Sequence, residues 1–91
     1  MTPFELAMSI PANPQFAETL RLVAAQVARQ SGANEADAVD FGADVERALR
    51  DCFGSDRRQI AAAFYGRAAE VEVVLTCGRT IRVARALPLD V

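Results

Sequence analysis

The stretch Glu70-Val71-Glu72-Val73-Val74-Leu75-Thr76-Cys77-Gly78-Arg79-Thr80-Ile81-Arg82-Val83-Ala84-Arg85 decides the fold. Apolar residues recur at every second position on either side of Gly78, the pattern of two half-buried strands around a turn. Turn length fixes the register. A three-residue loop, Cys77-Gly78-Arg79, pairs Leu75 with Ile81 and Val73 with Val83, which places both apolar pairs on one face. A two-residue loop of Gly78-Arg79 would set Leu75 against Arg82 and break the pattern. Strands over 70–76 and 80–85 are therefore expected. On their second face Val74 meets Arg82 and Thr76 meets Thr80.

Moving toward the N-terminus, Gln59-Ile60-Ala61-Ala62-Ala63-Phe64 is rich in alanine. Alanine favours helix, so residues 56–65 read as a short third helix or a continuation of the preceding one, ended by Gly66. Before it, Ala38, Phe41, Val45, Ala48, Leu49 and Cys52 form one apolar stripe at helical spacing. Asn34 is a fitting N-cap for that helix, and Glu35 and Asp37 in its first turn complement the macrodipole. Phe16, Leu20, Val23 and Val27 make a second stripe, opened by Asn13-Pro14 and closed by Ser31-Gly32. Phe4, Leu6, Met8 and Ile10 alternate with polar or small residues, a strand with one buried face that Pro11 stops.

The order is strand, helix, helix, short helix, hairpin. Two long amphipathic helices on one face of a small, mainly antiparallel sheet make an α+β two-layer sandwich. Residues 1–91 read as a single domain. The second face of the sheet, carrying Val74, Ala84 and Ala7, stays partly apolar and invites a partner or a second copy.

Composition narrows the chemistry. All 10 basic residues are arginine, and the chain has neither histidine nor lysine. Histidine-based triads, HExxH zinc sites, Walker lysines and Schiff-base lysines are thereby excluded from this chain alone. Net charge is −2, and acids lie between most arginines; Arg57-Arg58 is the one basic pair and sits beside Asp56. No basic stripe marks a nucleic-acid interface, so no nucleic-acid partner is expected. No apolar run approaches the ~20 residues that span a bilayer, so no membrane partner is expected either. Met1-Thr2-Pro3-Phe4-Glu5 lacks the regions of a signal peptide, which makes the cytoplasm the expected location. Cys52 and Cys77 fit no CxxC spacing and read as two buried thiols serving as small apolar residues.

Phe4-Glu5-Leu6, Ile10-Pro11-Ala12-Asn13-Pro14, Leu20-Arg21 and Ala28-Arg29-Gln30, taken with Asn34-Glu35-Ala36-Asp37-Ala38 and the hairpin, resemble the anti-sigma-factor serine kinase branch of the GHKL (histidine kinase-like) ATPases. The resemblance runs in order from residue 2 to about residue 85. It implies a truncated histidine kinase-like ATPase fold. In that family the second helix carries a glutamate base and, four residues on, an asparagine that holds magnesium. The stretch here is Arg47-Ala48-Leu49-Arg50-Asp51, so Arg47 occupies the base position and Asp51 the asparagine position. Arginine cannot act as a base near neutral pH. Sliding by one residue restores Glu46 but puts Arg50 at the metal position. The family's Asp-x-Gly-x-Gly adenine motif should follow the hairpin, yet no glycine occurs after Gly78.

By this comparison the chain looks like the front part of an ATPase fold kept as a scaffold. It is expected to be a degenerate anti-sigma-factor-like domain without ATPase chemistry, with no catalytic residue, no cofactor and no metal. The vestigial positions are Glu46, Arg47, Arg50 and Asp51, where an Arg47–Asp51 pair on a solvated helix face accounts for the charges. The implied partners are a sigma factor or an antagonist-like protein, together with a second copy in a homodimer. Two alternatives stay open. One is a nucleotide-binding protein or ATP-dependent serine kinase with a reduced site, in which Asp51 holds magnesium on ATP. The other is an unrelated small α+β domain.

Overall fold

Proline, glycine and asparagine divide the chain into its elements. The computed structural model describes residues 4–53, 59–67 and 70–87. They run β1 (Phe4–Pro11), α1 (Gln15–Gln30), α2 (Glu35–Arg50), β2 (Gln59–Arg67), β3 (Glu70–Thr76) and β4 (Thr80–Ala86). The Asn13 side chain accepts from the Gln15 amide at 3.1 Å at the start of α1. At its end Gly32 takes φ of 101°, a left-handed conformation open to glycine at little steric cost. Asn34 caps α2 by accepting from the Asp37 amide at 2.8 Å. The Ser31 hydroxyl, buried between the helices, donates to the Val27 carbonyl at 2.8 Å.

The four strands form one antiparallel sheet in the order β1-β2-β3-β4. The hairpin has the register read from the sequence: Leu75 opposite Ile81, Val73 opposite Val83, Val74 opposite Arg82 and Thr76 opposite Thr80. Cys77 N–H donates to the Arg79 carbonyl at 3.0 Å across the turn, and Gly78 has φ of 94°. Both helices lie on one face of the sheet, α1 over β2 and β3 and α2 over β3 and β4. The molecule is thus an α+β two-layer sandwich.

Between the layers, Leu20, Ala24 and Ala28 of α1 and Phe41, Val45 and Leu49 of α2 pack on Ile60, Phe64, Val71, Val73 and Leu75 of the sheet, all buried. The helices themselves approach closely at Gly42. A Cβ there would stand 2.7 Å from the Arg21 carbonyl oxygen and 3.3 Å from the Ala25 Cβ. β1 lies toward the rim. Its Met8 and Ile10 are half-buried against the core, while Leu6 is 43% exposed instead of lining a buried face.

Two sequence expectations are corrected. Residues 59–65 are strand, not helix. Ile60, Ala62, Phe64 and Gly66 are buried and alternate with the more open Gln59, Ala61, Ala63 and Tyr65. Alanine's helix preference is worth less than 1 kcal/mol per residue over most alternatives, and it yields to ladders formed with β1 on one side and β3 on the other. The part of that expectation on residues 56–58 lies outside the described residues. Secondly, Cys52 and Cys77 are not two thiols. They are buried as expected but joined in a disulfide, with Cα atoms 5.8 Å apart. Their separation of 25 residues hid a neighbourhood that the packing of α2 on β3 creates. Of the expected tail over 87–91, Leu87 is buried, and the remainder lies outside the described residues.

Candidate functional site

α2 presents its charges along two neighbouring lines. On the side facing β4 lie Asp37, Asp40 and Asp44, at helical spacing. Arg85 points to the helix layer because it continues the Ile81 and Val83 face of β4. Its guanidinium sits 3.3 Å from Asp37 Oδ1, 3.3 Å from Asp44 Oδ2 and 3.9 Å from Asp40 Oδ2. One cation thus gathers three carboxylates and clamps α2 to the sheet edge. On the side facing α1, Glu46 lies between Arg21 Nε at 3.4 Å and Arg50 Nε at 3.8 Å.

The four positions singled out on α2 by the sequence therefore divide. Glu46 is held between two arginines, and Arg50 is exposed beside it. Arg47, 75% exposed, reaches back to Asp44 at 3.2 Å instead of forward to Asp51. Asp51 is exposed as the C-cap of α2. Glu46, Arg47 and Arg50 are thus each engaged in ion pairs with neighbouring helix residues. Among the described residues, no group of three His, Cys, Asp or Glu side chains is arranged to hold a metal.

The second face of the sheet has another character. Ala7, Ala63 and Val74 stand side by side across β1, β2 and β3, and Ser9, Ala61 and Thr76 form the next such row. No described helix packs on this face. The side chains of these two rows are small and partly or fully open to solvent, and the row beyond Ala63 carries Tyr65 between Glu5 and Glu72. Toward β4 it becomes charged: Glu72, only 5% exposed, is ion-paired with Arg82, which also lies 3.5 Å from Glu70. At the turn end a depression of about 400 Å³ is lined by Ser9, Gln59, Ala61, Thr76, Gly78, Arg79 and Thr80. Ser9 Oγ donates to Gln59 Oε1 at 3.0 Å on its rim.

Sequence reading found Ala7, Val74 and Ala84 on this face but missed Gln59, Ala61 and Ala63, because β2 was read as helix. The alternation of Ile60, Ala62 and Phe64 with their neighbours is the signal that finds them. Chemically the face offers hydroxyls, a carboxamide, methyl groups and the Arg79 guanidinium toward the turn, and the carboxylates of Glu70 and Glu72 with the Arg82 guanidinium toward β4. Among the described residues no helix is long and apolar enough to cross a membrane. No family model matches this chain, and no curated protein matches it.

Proposed function

We propose that the chain is a degenerate relative of the anti-sigma-factor serine kinases, without ATPase chemistry, that works as a regulatory protein-binding module. The observation that supports this reading best is the uncovered face of the sheet, where Ala7, Ala61, Ala63, Val74 and Thr76 form a smooth surface of small side chains. Such a surface buries apolar area against a protein with little side-chain entropy to lose. The ion pairs that occupy Glu46, Arg47 and Arg50 give these helix positions a structural use, which supports a reading without ATPase chemistry.

By its resemblance the class of partner is a sigma factor or an antagonist-like protein, and a second copy is the partner open to the isolated chain. The cytoplasm is the place of action in this reading. Co-expression with the sigma factor encoded nearest to the gene, followed by gel filtration, tests it. A complex that forms with the wild type and is lost with Ala63→Arg is the expected result. A complex indifferent to Ala63→Arg overturns the choice of surface.

Nucleotide is the second arm. With 10 mM ATP and magnesium, the melting temperature should not move. A dissociation constant of ~100 μM would stabilise by ~2.7 kcal/mol, roughly 10 °C or more in a domain of this size, and such a shift would restore the reduced-site kinase.

A further inference from the structure

The Cys52–Cys77 bond joins two loops. Cys52 follows the last turn of α2, and Cys77 opens the turn between β3 and β4. Both sulfurs belong to the core, at 1% and 4% residue exposure. Cys77, however, is followed by Gly78, Arg79 and Thr80, all exposed, and Cys52 is preceded by exposed Asp51. Outward movement of the β3–β4 turn would bring a sulfur to solvent, and turns at element ends open at lower cost than ladders or helix interiors. The rest of the molecule has independent support. The α1–α2 contact at Gly42, the β1–β2 and β2–β3 ladders and the Arg85 clamp do not pass through the bond. Gly78, Arg79 and Thr80, which directly follow the bonded Cys77, also line the depression on the open face.

We propose that Cys52–Cys77 is a redox latch: its reduction by a dithiol frees the β3–β4 turn from the end of α2 and reshapes the rim of that depression, while the two-layer body stays folded. In the reaction one thiolate of the dithiol attacks Cys52 or Cys77 sulfur, and the other cysteine leaves as thiolate. The second thiol of the reagent then closes on the mixed disulfide and releases the remaining cysteine. The protein bond gains two electrons and two protons, and the reagent becomes a cyclic disulfide. This inference goes beyond the proposed function and stands on the geometry of the two loops.

Amide-resolved NMR of the whole chain tests it, before and after dithiothreitol, with thiol alkylation and mass measurement to count reduced cysteines. Alkylation should report no free thiol before reduction and two after it, without denaturant. Shift changes should then concentrate at residues 50–53 and 75–80, with α1 and the β1–β2 pairing keeping their native dispersion. Closing a ring of this length constrains the unfolded chain, so the melting temperature should fall by roughly 10 °C or more on reduction. A Cys52→Ala, Cys77→Ala double variant should reproduce the reduced spectrum and ignore the dithiol. Two free thiols before reduction, an unchanged spectrum after it, or loss of dispersion across the whole chain in either the reduced protein or the variant would overturn the latch.

Discussion

Gly42 and Arg85 show how single residues hold the two layers in place. At Gly42 the obstacle to a side chain is the Arg21 carbonyl oxygen, a backbone atom that cannot swing aside. Gly42→Ala gains up to about 1 kcal/mol in helix propensity but must part the helices, at a cost of about 1–3 kcal/mol. A net loss of about 1 kcal/mol is expected, read as a lower urea midpoint; a midpoint at or above that of the wild type would show that α1 and α2 separate freely. Arg85, 29% exposed, pairs with Asp37, Asp40 and Asp44 at once and offsets part of their mutual repulsion. Arg85→Ala leaves those acids facing one another, and solvent screening limits the loss to about 1 kcal/mol, roughly 5 °C in melting temperature. Arg47→Ala, by contrast, should stay within about 0.5 kcal/mol of the wild type, because its side chain is 75% exposed. Neither Gly42 nor Arg85 announced its role in the sequence. Asp37 was readable as a helix-start acid, but its pairing with a residue 48 positions away depends on where β4 lands.

At the scale of elements, β2 is the instructive case. The caps at Asn34 and Gly32, the two apolar stripes and the three-residue turn were legible because each rests on strictly local chemistry. β2 was not, because alanine on both faces blurs the contrast between inside and outside. A strand at 59–67 carries a test: Ala61→Val, on the open face, should stabilise by a few tenths of a kcal/mol as β-branched residues do in strands. A loss of similar size would be the behaviour of a helix.

The α1–α2 connection adds a pH dependence. Arg29 Nε and Nη2 donate to both oxygens of Glu35 at 2.8 Å. That hydrogen bonding, reinforced by opposite charge and opposed by slight desolvation, holds the Glu35 carboxyl below its ordinary 4.5 and raises Arg29. A lowered acid contributes stability that is present above 4.5 and lost as pH falls through the folded value. Wild type should therefore melt slightly above Glu35→Gln near neutral pH, with the difference vanishing in acid. The pair lies at the surface, so solvent screening keeps the effect small.

The whole molecule is a sheet with one dressed face and one bare one. Helices cover the face of Val71, Val73 and Leu75, and among the described residues nothing covers the face of Ala63 and Val74. β1 and β4 are the edge strands of the sheet, and natural sheets seldom leave both a face and its edges without use. The sequence revealed the bare face through Val74, Ala84 and Ala7 but not its extent, which depends on β2. A self-complementary pairing of two copies is the simplest cover. Light scattering at about 100 μM chain, wild type beside Ala63→Arg with circular dichroism to verify folding, tests the docking role of this face most directly. The expected result is a mass near twice 9.8 kDa for the wild type and a folded monomer for the variant; a wild-type monomer, or a dimer that Ala63→Arg leaves intact, would contradict it.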